Sequence, residues 1–469
     1  MNWSKLSWVL LLCALVASPI LGQTQLLVRG ADERFKVDIL VVVAHPDDEG
    51  GATPYLARAI YDLHKRVAVV YATRGGSGGN DYSREHGNAL ANIREMEARE
   101  ACAKLGITNV WFLDGQDTAS QNVMNSLANW GHGENLEKLV GIFRLTRPEV
   151  VIAWLPSVFI GENHGDHQAS GVLATEAFDL AGDPEVFPAQ VAGTSKRLEP
   201  YLENLTPWQA KKIYYFSDAQ DDKQFAGKGP SYSIKEISAS QKKPYWRLAL
   251  DAATPHKTQF PKEIEQVLKA SDEQIEKMMS VPNTGWWTEP ETLIFGKSEV
   301  RGVPTDDVFA GLKPGPLPVE MHVMKYEDII FSKGDHLSIG GPWLYYGYFR
   351  ARHNLNGIPV ARTPEIAIKA GTIVAVPLAV QHGDSMAPMN VTLTVEAPTA
   401  WKIQSGQGQF TLPAEASTDL RVEIETPSLT AEELKKIQAQ EIVVKGEANG
   451  KSIGEVHLRV LLRANALPQ

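Results

Sequence analysis

Cysteine is almost missing from this 469-residue chain, which has two, Cys13 and Cys102. The first lies in a leading stretch with the layout of a cleaved export signal: Lys5, an apolar run from Trp8 to Val16, then the small residues Ala17, Ser18 and Gly22. Removal of residues 1–22 would leave Cys102 alone, so no intramolecular disulfide is expected although the destination, secreted or periplasmic, is oxidising. The apolar run is also shorter than the ~20 residues that span a bilayer, and no stable membrane span is expected. An excess of positive charge is missing as well. The 46 basic residues are outnumbered by 56 acidic ones, for a formal charge of −10, the wrong sign for gripping phosphate backbones, and nucleic acid is excluded as the main partner. Internal repeats and low-complexity tracts are absent too. What remains is an ordinary globular composition, 43% hydrophobic and 22% charged, long enough for two or three domains.

From Asp38 to about Asp218, apolar runs rich in Val, Ile and aromatics alternate with segments of helical period. Strands are predicted at 38–44, 67–73, 110–115, 149–155 and 212–216, and helices at 52–65, 89–105, 134–146 and 167–180. The second helix shows the spacing well, with Leu90, Ile93, Met96, Ala98 and Leu105. Such alternation predicts an α/β fold, a Rossmann-like doubly wound, mostly parallel sheet. Residues 184–258 lose the period and read as an excursion carrying one strand; a helix follows at 260–279, and an irregular stretch from Trp286 closes a first domain, 23–312. The turn-rich 313–318 opens a connecting region, 313–365, with a C-terminal all-β immunoglobulin-like sandwich over 366–469. Its alternating runs include Thr372–Ala379, Val391–Glu396, Leu420–Glu425 and Glu455–Leu462, with one helical piece at 430–439.

Two polar loops follow strands of the first domain. Ala44-His45-Pro46-Asp47-Asp48-Glu49 comes directly after the strand ending at Val43, at the carboxyl edge where ligands of parallel sheets bind. His45 and Asp48, three apart in a tight loop, can turn towards one ion while Asp47 stays free as a base. A helix N-terminus explains acidity there but not the histidine. The second loop, Asn163-His164-Gly165-Asp166-His167, follows the strand 149–155 and can supply one ligand and one proton donor, with the Asp orienting its neighbour. Taken alone it equally suits a capped helix start. Together the two loops form a metal-type site at one sheet edge.

The His45-Pro-Asp-Asp-Glu loop, the Thr73-Arg74-Gly75 turn, Ile93-Arg94-x-x-Glu97 followed by Ala103-x-Leu105-Gly106, and His164-x-Asp166-His167 resemble the zinc-dependent de-N-acetylases of the PIG-L and LmbE-like family. The likeness covers 38–218 and extends faintly, through His256-x-Thr258-Gln259 and Asp306-Asp307, to about 312. It implies that His45, Asp48 and His167 bind one Zn²⁺ per chain and that Asp47 is the general base. His164 would protonate the leaving amine or stabilise the oxyanion, Asp166 would tune His164, and Arg94 would hold substrate. The implied substrate is an N-acetylated sugar or glycoconjugate of the N-acetylglucosamine type. Glu162 stands where some sugar-thiol deacetylases carry a tyrosine, which removes a side-chain oxyanion donor there.

Other features read more plainly. The glycine-rich Arg74–Asn80 lacks the lysine of a phosphate-binding loop and suits a wall or lid. Trp130 with His132, Trp154, and Trp286-Trp287 offer either sugar-stacking faces or core. Cys102 falls on an apolar helix face and Asp335-His336 marks a surface turn. Two other readings stay open: a hydrolase of another amide, such as a sugar-thiol conjugate or peptidoglycan fragment, and an exported glycan-binding protein without turnover. Iron or manganese would also suit the donor set.

Overall fold

Ile39-Leu-Val-Val-Val43 is a run of stiff apolar side chains with no polar interruption, the signature of a strand buried on both faces. The computed structural model describes residues 31–157, 164–191, 205–217, 225–279, 287–317, 334–355, 357–359, 363–383, 386–414 and 416–469. In it every residue of that run is buried in strand β1, Ile39–Val43. There follow α1 (Thr53–Tyr61), β2 (Val67–Thr73), α2 (Gly87–Lys104), β3 (Asn109–Gly115), α3 (Val123–Trp130), α4 (His132–Thr146), β4 (Val150–Trp154), α5 (Gly165–Leu180) and β5 (Lys212–Phe216). The six-stranded sheet has the order β3-β2-β1-β4-β5-β8. All pairs are parallel except β5 with β8 (Ile294–Ser298), which is antiparallel. The α/β doubly wound expectation therefore holds, and the five predicted strands lie where the apolar runs placed them.

Alternate residues feed two helical layers. Leu40 and Val42 pack with Leu139 and Phe143 of α4 and Leu173 of α5, whereas Ile39, Val41 and Val43 meet Tyr55 and Leu56 of α1 and Ala98 and Cys102 of α2. At about 1.5–3 kcal/mol for each large apolar side chain buried, these layers dominate stability of the half that carries the loops.

The stretch after β5 departs from expectation in three places. Residues 184–258 carry, besides β5, the short strand β6 (Ser231–Tyr232) and a helix, α6 (Tyr245–Ala253). The helix expected at 260–279 is two, α7 (Pro261–Lys269) and α8 (Asp272–Met279). Ala270 is extended, and a reciprocal cap starts a new helix: the Gln274 amide N–H donates to Ser271 Oγ at 3.3 Å and the Ser271 N–H to Gln274 Oε1 at 2.8 Å. The stretch read as irregular contains β7 (Glu291–Thr292) and β8. The leading residues 1–22, Cys13, Glu162, Asn163 and Trp286 lie outside the described residues.

The C-terminal part is built mainly of β-strands in two sheets. It comprises β9 (His336–Ile339), a helix α9 (Gly341–Arg352), β10 (Glu365–Lys369), β11 (Ile373–Gln381), β12 (Met389–Glu396), β13 (Lys402–Ser405), β14 (Gly408–Leu412), β15 (Ser417–Glu425), the capped turn of helix α10 (Ala431–Leu434), β16 (Gln440–Ala448) and β17 (Lys451–Arg463). A five-stranded sheet runs β10-β17-β16-β12-β14 and a four-stranded one β13-β15-β11-β9. The alternating burial of β12 puts Val391, Leu393 and Val395 into the core between them. Helix α9 reaches back to the first half. Its Tyr346 and Phe349 belong to the α4–α5 core, and the Tyr346 hydroxyl donates to Gln168 Oε1. Gln121 joins the halves again: its backbone N–H donates to Pro468 O at 2.7 Å and its side-chain amide to Leu467 O at 2.6 Å. No helix among the described residues is long and apolar enough to cross a membrane.

Candidate active site

The carboxyl ends of β1, β3 and β4 converge on one cavity. Strand β1 stops at Val43, and the chain turns through the loop that carries His45, Asp47 and Asp48. Asp48 Oδ2 fixes this turn by accepting three N–H groups: Ala44 at 2.9 Å, His45 at 2.7 Å, and the Trp154 indole at 2.9 Å. Its Oδ1 lies 3.3 Å from His167 Nε2, and Oδ2 lies 3.5 Å from His45 Nδ1. Asp48 thus touches both histidines expected beside it. Trp154, the last residue of β4, also stacks on the His167 ring, with centroids 4.2 Å apart and planes 3° from parallel.

Strand β4 leads to the second loop, where His164 caps α5 and Asp166 and His167 occupy its first turn. The rings of His45, His164 and His167 lie within 5.2 Å of one another. The Asp166 backbone N–H donates to His164 Nδ1 at 3.2 Å, while the Asp166 carboxylate meets His45 Nε2 at 3.2 Å and accepts the Thr118 N–H at 2.8 Å. Sequence placed that carboxylate's influence on His164; in the structure its side-chain partner is His45.

Asp117, two residues beyond β3, completes the cluster, with Oδ1 3.2 Å from His45 Nε2 and Oδ2 accepting the Ser77 N–H at 2.8 Å. Sequence reasoning missed it, since no histidine accompanies it; its position just past the end of a parallel strand was the available signal. Three of the donor atoms come within 4.8 Å of one another in two sets, His45 with His164 and His167, and His45 with Asp117 and Asp166.

Burial disfavours charge throughout, and the neighbours decide the outcome. Against burial, the carboxylates of Asp48, Asp117 and Asp166 push His45 well above its ordinary value. His167 and His45 hold Asp48 well below the carboxylate range despite burial. Burial, reinforced by His167 and His45, holds His164 well below its usual value and so neutral. Asp166 is fully buried, yet its Oδ1 has no hydrogen-bond partner among the described residues. Three imidazoles and three carboxylates this close, one carboxylate oxygen unpaired, fit a divalent cation bound in exchange for protons.

Asp47 is held separately, at a backbone φ of +104°, a region that favours glycine. Two neighbours hold it. Glu49 Oε2 accepts the Asp47 N–H at 3.0 Å, and the other Glu49 oxygen meets His256 Nε2 at 2.7 Å. Arg94, buried on α2, donates to Pro46 O at 2.6 Å, Gly75 O at 3.0 Å and Asp47 Oδ1 at 3.2 Å. Residue 75 must be glycine: its φ is +67°, and a Cβ there would stand 2.5 Å from the Arg94 guanidinium. Burial pushes the Asp47 carboxyl up to about 6, against the pull of Arg94. Behind it, Glu97 accepts the backbone N–H of Thr258 at 3.0 Å and its hydroxyl at 2.6 Å, so the His256-x-Thr258 segment is pinned to α2.

His45, Asp47, Asp48, Arg94, His164 and His167 all line a cavity of about 650 Å³, together with Asp117 and His256. The glycine-rich stretch contributes Gly78 to its wall. Cys102 is buried against the Tyr71 hydroxyl at 3.5 Å, and burial pushes its thiol up, as suits a structural residue.

Residues 40–178 match the model of the PIG-L family, described as GlcNAc-PI de-N-acetylase, so the segment that bears both loops is a PIG-L family domain. Among curated relatives, a 1D-myo-inositol 2-acetamido-2-deoxy-alpha-D-glucopyranoside deacetylase 1 of Frankia alni is 32% identical over 188 residues, 36% of this chain and 59% of that protein. A deacetylase 2 of the same description from Frankia casuarinae is 31% identical over 209 residues, 40% of this chain and 65% of the relative. The chain thus spans about three fifths of the length of these relatives. A solved structure of N,N'-diacetylchitobiose deacetylase from Pyrococcus horikoshii is similar at 22% identity and a TM-score of 0.37, covering 55% of this chain and 83% of that one.

Proposed function

We propose that the protein is an exported, zinc-dependent hydrolase that removes the acetyl group from an N-acetylglucosamine-like sugar or glycoconjugate. The observation that carries this reading is the placement of a half-buried carboxylate, Asp47, in one cavity with the His45, Asp48, His164 and His167 cluster. The family match and the relatives' names support an acetamido sugar as substrate. The signal-like layout of residues 1–22 supports export.

His45, Asp48 and His167 would hold the ion, with Asp117 and Asp166 orienting His45 through Nε2. A bound zinc supplies Lewis-acid polarisation of the amide carbonyl and lowers the pKa of water beside it. Asp47 takes a proton from the water that attacks the carbonyl carbon. A carboxyl near 6 suits that task, and Arg94 keeps it aimed. His164 accepts the Asp166 N–H at Nδ1, so its neutral tautomer carries the proton on Nε2 and donates to the developing oxyanion. Asp47 then returns its proton to the amide nitrogen as the C–N bond breaks, leaving acetate and a free amine.

The test uses residues 23–469: elemental analysis, then amine release from N-acetylated sugars before and after chelation. About one zinc per chain with chelator-sensitive release is expected. Metal-free protein without amine release would move the assignment to a glycan-binding protein.

A further inference from the structure

The cavity does not end with the acetamide site. At about 650 Å³ it falls within the range of ~300–1,000 Å³ that holds drug-sized ligands, more than a single acetamido group needs. Part of its wall comes from segments beyond residues 40–178: Leu250 of α6, Phe260, Ile264 and Val267 at and on α7, and Trp287 and Glu291 before and in β7. Five of these six are apolar. Leu250 and Val267 are buried, while Phe260 lines the cavity with 44% of its surface still exposed. The Trp287 indole N–H donates to Gly50 O at 2.6 Å, which ties this wall to the loop bearing Asp47 and Asp48.

Glu291 is the exception in chemistry. It is 5% exposed and lies against the Tyr55 backbone N–H at the start of α1, and among the described residues neither carboxylate oxygen makes a well-formed hydrogen bond. Burial pushes its carboxyl up to about 8 against the pull of the Tyr55 N–H, which favours the uncharged acid, a group able both to donate and to accept. A buried polar group without a well-formed hydrogen bond is disfavoured, and a ligand's polar atom would relieve it. An apolar wall with one neutral donor–acceptor selects a flat or chain-like apolar group bearing an oxygen, rather than a second charged or fully hydroxylated ring.

We propose that this arm is an aglycone subsite: it takes an aryl or alkyl group attached through oxygen to the acetamido sugar, with Glu291 hydrogen-bonding an oxygen of that group. The sugar half of the inference rests on the deacetylase reading; the arm itself does not.

The test is a substrate series on the full chain, with methyl, 4-nitrophenyl and octyl N-acetyl-β-D-glucosaminides. Expected is a KM lower by about tenfold for the aryl and alkyl glycosides than for the methyl one, with kcat little changed; tenfold corresponds to about 1.4 kcal/mol. Ile264→Arg should erase that ratio. Phe260→Ala, at an exposed position where folding is not at risk, should reduce it. Glu291→Leu should lower the aryl preference several-fold and Glu291→Gln should restore most of it, because the amide also donates and accepts. A flat KM across the series, or a ratio untouched by Ile264→Arg and Phe260→Ala, overturns the proposal. If no glycoside is hydrolysed, the deacetylase reading fails and calorimetric binding decides the arm. Tighter binding of the 4-nitrophenyl than of the methyl glycoside, weakened by Ile264→Arg, then supports it, and equal binding overturns it.

Discussion

The two halves of the molecule use polar residues in opposite ways. In the C-terminal sheets, strands such as β12 and β15 alternate, so charged side chains lie on the outer face and cores such as Val391, Leu393 and Leu458 stay apolar. His382 there is paired with Asp335 at 2.8 Å, and no group able to hold a cation is found in that region among the described residues. In the parallel sheet β1 and β4 are apolar throughout, and polar groups gather where β1, β3 and β4 end, buried and facing one another. His45, Asp48 and Asp166 are buried as a mutually paired cluster, the arrangement that buried ionisable groups need if no metal is bound and that also suits a metal. The half that buries polar groups against one another is the half that carries the candidate site.

That contrast can be broken most sharply at the ion cluster. His167→Ala should abolish both stoichiometric metal and turnover, read by elemental analysis and amine release. Asp47→Asn should retain metal yet lose about 10²–10⁴-fold in kcat, the usual weight of a general base, and the amide tolerates the same backbone conformation. Arg94→Gln tests the electrostatics. Arg94 pulls the Asp47 carboxyl down against burial, so without it that carboxyl rises above about 6. The base is then protonated over more of the acid range, and the acid limb of kcat/KM should move to higher pH. A limb that stays in place would remove Asp47 from that titration. The mildest effect on activity is expected in the other half. Leu458→Ala, at a fully buried position, should lower stability by about 2–5 kcal/mol in denaturant titration while leaving kcat and metal content unchanged below the unfolding transition.

Legibility in the sequence followed the same division. Strands buried on both faces announce themselves as unbroken apolar runs, and the five parallel ones were readable to within a few residues. The loops bearing His45, Asp47, Asp48, His164 and His167 stood out as a pair, because each follows a strand of the same sheet and a capped helix start alone does not explain both. Asp117 carries no such mark, and Asp166 could not be assigned between His164 and His45 from spacing, because the choice depends on how two loops meet. Trp154 was readable as core or as a stacking face; that its indole N–H would hold Asp48 required the register of β4 against β1. Short strands such as β9 and β13, four residues each, lack the length for a period to show, and the antiparallel β8, as long as β1, is broken by Gly296, Lys297 and Ser298 and forms no apolar run.

The parallel stack of Trp154 on His167 has an optical consequence. An indole whose ring faces an imidazole at 4.2 Å senses that imidazole's charge through its π-system, so proton or ion uptake by His167 should alter its emission. The chain holds eleven tryptophans, and the difference in fluorescence between the native protein and Trp154→Phe isolates the one that matters. The site carries its own spectroscopic reporter of occupancy, legible without any substrate.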